Sequence, residues 1–217
     1  MTDDDFAVES APGLAKRLPE GETILWQGAP RTWPLAKAAF ALHWIIAYFA
    51  VLAIWRGIAL WTERGLVDGI GAAVWYVGVG AAASAVILLM SWVMARATIY
   101  TITSARVVMR IGAALTISLN LPLKWILSAD LGLSADGTGS ISLRLKGDTR
   151  FAYLSLWPHI RPWYLRQPQP TLRAIPDAKR VAETLARAAS QATGAIVNDL
   201  IDTDQPADLP SAAIPAE

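Results

Sequence analysis

The sequence contains no cysteine and only two histidines among its 217 residues. Without cysteine it has no disulfide framework, no thiolate zinc or iron–sulfur site and no cysteine nucleophile, and two histidines argue against a metal cluster. It also has no GxxxxGK[ST] phosphate-binding loop and no HExxH pattern. We therefore expect neither a metal site nor an enzymatic function.

Charged residues are scarce as well, at 17% of the chain, whereas 54% of its residues are hydrophobic. This composition is too apolar for an ordinary soluble domain of this size. Residues 38–55 and 69–95 carry no formal charge, and about 20 helical residues span a hydrocarbon core of about 30 Å. A buried helix pair in a soluble protein is the alternative, but neither run shows the polar face of a soluble helix. The runs predict a transmembrane hairpin over residues 35–95, with helices at about 35–56 and 70–95.

Basic residues flank this hairpin at its two outer ends. Four precede the first run and three follow the second, whereas the two arginines of the connector 56–68 are offset by two acids. The positive-inside rule therefore predicts that both termini are cytoplasmic. Residues 96–194 hold thirteen Lys/Arg against five Asp/Glu, which favours the anionic cytoplasmic leaflet. Membrane lipids are expected partners, and nucleic acid is not.

Small residues in the second run indicate how helices pack. Gly71, Gly78, Ala82 and Ala85 fall near one face, and a further glycine and serine four residues apart, at 80 and 84, permit close backbone approach. We interpret these residues as packing within the hairpin. Contact with other membrane proteins is the alternative.

Short β-type runs separated by turn residues follow the hairpin and predict an antiparallel meander. A helix capped by Asp177, with an apolar stripe, completes a domain over residues 96–192. Residues 18–34 are expected to add a strand containing Ile24 and Trp26, residues 1–17 to be flexible, and residues 193–217 to form a disordered acidic tail. The predicted strands are TIYTIT (98–103), RVVMRI (106–111), ALTISLNL (114–121), WILSADLGL (125–133), SISLRLK (140–146) and TRFAYLSL (149–156).

The segment 156–176, LWPHIRPWYLRQPQPTLRAIP, is rich in proline, arginine and tryptophan. Its prolines favour extended conformations, and its alternating basic and aromatic side chains suit a membrane surface or a groove on a partner. A loop that wraps its own domain is an equal alternative. The candidate partner-binding residues are Trp157, His159, Arg161, Trp163 and Arg166.

Several of these stretches resemble a known family. YTITSARVVMRIG (100–112), after a membrane hairpin and before a single helix, resembles the bacterial pleckstrin-homology-like domain of membrane proteins, and LPEGETILWQGAP (18–30) resembles the stretch before the hairpin in those proteins. With the WPHIRPW and LRAIPDA segments, the chain is similar to the photosynthetic complex assembly family PuhB of purple bacteria. The resemblance implies an α+β membrane protein, in which a two-helix transmembrane hairpin carries an antiparallel β-barrel closed by a C-terminal helix.

The resemblance also implies a function. The chain would be a multi-pass, non-catalytic scaffold or chaperone in the bacterial inner (intracytoplasmic) membrane. It would assist assembly of the reaction centre with light-harvesting 1, whose subunits would be its partners, and self-association stays open. A membrane-anchored lipid-binding or lipid-sensing module is the alternative. A transporter is disfavoured because two spans without charge leave little room for a pathway.

His43 is the candidate cofactor-binding residue. AFALH (39–43) resembles the Ala-xxx-His pattern of antenna polypeptides, so His43 is a candidate axial ligand for a bacteriochlorophyll held in transit; no cofactor is otherwise expected. Its helical neighbours include Ala36, Ala39 and Ala47, a stripe of small residues that a flat ring could approach. The alternative is that His43 bonds to the second helix or lies beside Trp44.

Overall fold

Three helices follow a first short strand. The computed structural model describes residues 18–112, 116–147 and 152–203. Strand β1 (Ile24–Gly28) precedes α1 (Thr32–Phe40), α2 (Leu42–Arg64) and α3 (Leu66–Ala97). Ala41, with φ of 52°, separates α1 from α2, and its N–H bonds to the Ala36 carbonyl at the end of α1. The predicted helix at about 35–56 is therefore wrong in its bounds: two helices meet at a left-handed alanine, a break that no glycine or proline announces.

Glycines bring α2 and α3 together as a hairpin. A Cβ on Gly69 would lie 2.7 Å from the Gly57 carbonyl oxygen, and one on Gly80 would lie 2.7 Å from Cβ of Phe49. The helices can approach this closely only because these positions lack side chains. By contrast, a Cβ on Gly71 would meet nothing within 4 Å. The same holds for Gly78, so the predicted Gly71–Gly78 face points away from α2.

The outer faces of both helices are apolar and exposed. Ile54, Val74 and Val86 are each more than 60% exposed, whereas the core helices of soluble proteins bury such side chains. Both helices are long and apolar enough to cross a membrane.

Helix α1 crosses the C-terminal end of α3. The Ser91 hydroxyl donates to the Thr32 carbonyl over 2.8 Å. Leu35 is buried against Ala95 of α3 and Ala174 of the sheet domain. Through these contacts α1 links the helical hairpin to the sheets.

The first sheet has four antiparallel strands in the order β1-β2-β3-β4. It adds β2 (Ile99–Thr103), β3 (Arg106–Ile111) and β4 (Ile117–Pro122) to β1. In the β1–β2 pair Trp26 lies opposite Ile102 and Gly28 opposite Tyr100. The segment that contains Ile24 and Trp26 thus adds a strand to the sheet, as the sequence predicted. The hairpin is thus an insertion between two neighbouring strands of one sheet.

The second sheet has three antiparallel strands in the order β5-β6-β7. A 3₁₀ turn (Leu123–Trp125) leads into β5 (Ile126–Leu133) and β6 (Gly139–Leu145), and a short α4 (Tyr153–Leu156) precedes β7 (Thr171–Ile175). Two predictions are corrected here. Tyr153–Leu156 is helical rather than part of a strand, and β7 lies within the stretch that was predicted to be irregular. Sequence pattern could not anticipate β7, because its partner β6 is 26 residues away across a proline-rich segment.

The predicted closed barrel is not formed: within the described residues the strands form two separate sheets, and no strand of one sheet pairs with a strand of the other. β4 ends at Pro122, the Leu123 N–H still bonds to the Ala105 carbonyl just beyond it, and the 3₁₀ turn then carries the chain into the second sheet. At the other boundary the Arg31 N–H bonds to the Ala174 carbonyl beyond the end of β1. The architecture is two open sheets packed against a long helix.

That helix, α5 (Ala178–Thr203), covers the core between the sheets. It extends through residues 193–203, where the sequence predicted disorder, so that boundary was wrong. The predictions for residues 1–17 and 204–217 lie outside the described residues. The core contains Tyr100, Ile102, Val107, Met109, Ile111, Leu121, Leu123, Ile141, Leu143, Leu156, Ile160, Leu172, Ile175, Ala178, Val181, Leu185 and Ala188.

Candidate partner-binding site

A chain of buried hydrogen bonds joins the end of α3 to the sheet domain. The Thr98 hydroxyl donates to the Met94 carbonyl, so its oxygen is free to accept the Nε2 proton of His159 over 3.1 Å. Nδ1 of His159 lies 2.5 Å from the Tyr100 hydroxyl and accepts its proton. The Tyr100 oxygen in turn accepts the backbone N–H of Arg173 over 3.2 Å. Every bond points the same way, which fixes His159 as the neutral Nε2-protonated tautomer.

Burial controls the protonation of these groups. Loss of solvation, and then the positive charge of Arg173, lower the pKa of His159 to about 3. Burial also raises the pKa of Tyr100 above its usual range. His159 is therefore uncharged at neutral pH, and its role in this network is structural.

Arg173 connects the same region to α1. Its guanidinium is almost fully buried, and Nη1 donates to the Ala38 carbonyl over 3.1 Å. That carbonyl lies in the last turn of α1, where the helix dipole favours a cation. Burial lowers the pKa of Arg173 from its ordinary value. We call Thr98, Tyr100, His159 and Arg173 the junction, since they tie both ends of the helical insertion to the sheets.

A loop with a closed neck extends from the junction. The Arg161 N–H bonds to the Gln169 carbonyl over 3.0 Å, and the Thr171 N–H bonds to the His159 carbonyl over 2.9 Å. Ile160 and Pro170 form a bridge between these two bonds. Residues 161–169, the aromatic loop, are thus held at their base in the manner of a hairpin.

Large side chains are exposed on the aromatic loop. Trp163 is 91% exposed and Leu165 is 65% exposed, and Arg166 beside them is also exposed. Arg161 pairs with Asp130 of β5 and lies 4.4 Å from the ring centre of Tyr164, which restrains the loop. Trp163 has a φ of 69°, a conformation that bulky residues rarely adopt.

The predicted partner-binding residues therefore divide into two groups. Trp157 packs edge-on against Phe40 of α1 with ring centres 5.2 Å apart and is 41% exposed, and His159 is fully buried in the junction. Arg161, Trp163 and Arg166 lie on the aromatic loop. Sequence reasoning missed Thr98, Tyr100 and Arg173. Of these three residues only Arg173 had a signal in the sequence, since it is a charged residue within the apolar run LRAI.

Comparison with known proteins agrees with this architecture. The family model described as Bacterial PH domain matches residues 35–189, which include the helical insertion, the junction and the aromatic loop. The chain belongs to this family. The chain is also similar to a Rhodobacter capsulatus protein described as "Uncharacterized 23.7 kDa protein in puhA 5'region". The two are 44% identical over 191 residues, which cover 87% of this chain and 89% of the relative.

One solved structure is also similar to part of this bacterial PH domain chain. It is a DUF1696 family protein with a pleckstrin-homology domain from Shewanella loihica PV-4, at 13% identity. The match covers 42% of this chain and 71% of that chain, with a TM-score of 0.29.

His43, the candidate pigment ligand, lies apart from the junction of this bacterial PH domain protein. It is exposed on the first turn of α2, with its ring 5.5 Å from that of Trp44. The break at Ala41 removes Ala36 and Ala39 from its helix, so the stripe of small residues that the sequence predicted beside it is not formed. Within the described hairpin, His43 makes no hydrogen bond to α3.

Proposed function

We propose that this bacterial PH domain protein is a non-catalytic membrane assembly factor of the PuhB type. It acts as a scaffold or chaperone for subunits of the photosynthetic reaction centre and light-harvesting 1. The observation that carries the proposal is the aromatic loop, which holds Trp163, Leu165 and Arg166 in solvent above a closed neck. Tryptophan and arginine are the side chains that most often anchor interfaces. A loop restrained before binding loses less entropy when it docks.

The comparisons and the sequence resemblance support photosynthetic subunits as the partners in this proposal. The R. capsulatus relative is named for its position next to puhA, and the segments 18–30 and 156–176 resemble the PuhB family. Neither feature identifies the subunit that is bound.

The membrane arrangement is part of the proposal. We place α2 and α3 across the inner (intracytoplasmic) membrane because their outer faces are apolar and exposed. Both termini and the two sheets then lie in the cytoplasm, and the turn at Gly65 lies on the other side. Reporter fusions test this: a periplasm-active reporter should work at residue 65 and fail at residue 147. Activity at residue 147 would refute the orientation.

Deletion tests the function. Removing the gene should lower the amount of assembled reaction-centre and light-harvesting 1 complex, measured by absorption of native membranes, while pigment synthesis continues. Normal complex levels in the deletion strain would refute the proposal. A change in membrane lipid composition alone would favour the lipid-sensing alternative, for which the basic excess of residues 96–194 speaks.

The aromatic loop can be tested separately. Trp163→Ser combined with Arg166→Ser should fail to restore complex assembly in the deletion strain, because truncating an interface anchor costs about 2 kcal/mol, or roughly thirtyfold in affinity. Trp125→Ser with Arg144→Ser is the matched control, since both residues are exposed outside the loop. Equal complementation by the two variants would show that the loop carries no partner.

His43 as a transient pigment ligand is a second, independent proposal, supported by its exposed imidazole on α2. Protein purified from pigment-producing cells should carry bacteriochlorophyll that His43→Leu loses. His159→Gln, which changes the buried histidine, is the control and should keep the pigment. Equal pigment in wild type and His43→Leu, or none in either, would end the ligand hypothesis.

A further inference from the structure

A groove runs between β1 and α5. It encloses about 590 Å³, with Leu25 and Trp26 on one wall and the first four turns of α5 on the other. Among the described residues β1 has a strand neighbour on one side only, since it is the edge of its sheet. Its Leu25 side chain is 42% exposed. An open strand edge beside an apolar side chain is a surface to which an extended segment can add.

The helix wall of this groove is basic. Arg180 and Arg187 lie nearly two turns apart along α5, and both are exposed, against a single acid in the lining, Asp177. An occupant with negative charge and an extended backbone therefore fits the groove.

The chain itself carries such a segment next to the groove. Residues 1–17 hold four acids, Asp3, Asp4, Asp5 and Glu9, before the first basic residue at position 16. They lie outside the described part of the chain, but their attachment point is described. A reverse turn, in which the Glu22 N–H bonds to the Pro19 carbonyl and Gly21 has a φ of 83°, immediately precedes β1. The N-terminal segment is therefore attached only a few residues before the strand that forms one wall of the groove.

The N-terminal segment is long enough to extend along the whole groove. The groove follows α5 from Arg180 to Gln191, about 17 Å at 1.5 Å per residue. Seventeen residues reach up to about 56 Å when extended. The other acidic end of the chain begins at residue 204, beyond Thr203 at the end of α5, and so starts about 18 Å past the groove.

We propose that the acidic N-terminal segment, residues 1–17, occupies the groove between β1 and α5. Its aspartates lie against Arg180 and Arg187, and its backbone follows the open edge of β1. The seated segment covers an edge strand that would otherwise pair with another chain.

Disulfide trapping tests this directly, because the chain has no native cysteine. In the full chain in detergent, Ala7→Cys with Thr184→Cys should form a disulfide at least about fivefold faster than Ala7→Cys with Ser118→Cys, as expected from two exposed charge pairs. Thr184 lines the groove, and Ser118 is exposed on β4 at the opposite edge of the same sheet. Equal rates for the two pairs would overturn the proposal.

Charge reversal tests the basis of the contact. Arg180→Glu with Arg187→Glu should slow disulfide trapping between positions 7 and 184 to the control rate. Further substitution of the three aspartates, Asp3→Lys, Asp4→Lys and Asp5→Lys, should restore the faster rate. Arg144→Glu, which reverses an exposed arginine on β6, should have no effect. If the double variant does not fold, 1 M NaCl should slow trapping in the parent pair, since it shortens the Debye length to about 3 Å.

The acidic C-terminal end of the chain is the other candidate occupant of the groove, and a separate cysteine pair tests it. Asp208→Cys with Thr184→Cys reports on the C-terminal end, and it should trap no faster than the Ser118 control. Faster trapping of Asp208 than of Ala7, or a rate at Ala7 that neither charge reversal nor salt changes, would overturn the proposal.

Discussion

Lowering the pH from 7 to 5 should destabilise the sheet domain through a single side chain, His159. In the folded chain its pKa is about 3, against 6.5 for an ordinary histidine. The folded pKa is the lower one, so this contribution to stability is complete above about pH 6.5 and is lost as the pH falls toward 3. In that window the unfolded chain binds one more proton, and the free energy of unfolding falls by about 1.4 kcal/mol per pH unit. Between pH 7 and pH 5 the loss is about 2 kcal/mol.

The chain is well suited to this measurement, because it has only two histidines. Denaturant unfolding of the detergent-solubilised full chain, followed by tryptophan fluorescence, gives the free energy at each pH. His159→Gln keeps a neutral donor and acceptor but should lose the pH dependence between 7 and 5. His43→Gln, at an exposed position, should retain it. Burial alone would raise the pKa of Glu22, but its bonds to Arg106 and Thr103 lower it below its ordinary value, away from the range between pH 7 and pH 5.

Two outcomes would refute the reasoning. One is a loss of about 2 kcal/mol that persists in His159→Gln, which would place the titrating group elsewhere. The other is a wild-type stability that does not change between pH 7 and pH 5. Nitrogen NMR of the labelled imidazole offers an independent check, since His159 should stay neutral down to about pH 4.

Two further predictions concern an ion pair in the sheet domain and the packing of the helical hairpin. Glu22→Gln should lower stability by about 1–2 kcal/mol in the same unfolding assay, because it breaks a two-pronged ion pair with Arg106 whose bonds are 2.7 and 2.8 Å long; Glu20→Gln, at an exposed position, should change nothing, and equal effects would contradict the ion pair's role. Gly69→Val should destabilise the helical hairpin by about 1–3 kcal/mol, because its side chain would meet the α2 backbone; Gly71→Val, which faces open space, is the control, and a similar loss of thermal stability in both would contradict this packing.

The insertion of the hairpin between β1 and β2 gives the junction its importance. Both ends of the helical segment return to the same sheet, where Gly28 lies opposite Tyr100. Arg173 and His159 then fasten the two helix ends to the second sheet and to the base of the aromatic loop. A shift of α1 relative to α3 would therefore also move the neck of the aromatic loop, since the same buried hydrogen bonds hold the helix ends and the neck.

Several features followed from local sequence alone. Two uncharged runs of helical length were enough to predict a pair of apolar helices, because no polar face interrupts them. The β-type runs at 98–103, 106–111 and 140–146 were found because branched and aromatic residues alternate between turn residues. The family resemblance of residues 100–112 was also visible without coordinates. Each of these signals resides within a single continuous run of neighbouring residues.

Other features depended on contacts between distant residues, and only the tertiary structure decided them. Ala41 takes a left-handed conformation that its side chain disfavours, because α1 must pack on α3 and β7 while α2 runs back along α3. β7 is a strand because it pairs with β6 and because the Tyr100 hydroxyl accepts the Arg173 N–H. Two sheets form instead of a barrel because a 3₁₀ turn at Leu123–Trp125 separates β4 from β5. His159 looked like a partner-binding residue within a basic aromatic run. Its burial beside Thr98, 61 residues earlier in the chain, made it part of the core instead, since burial is a property of the whole fold and not of the neighbouring sequence.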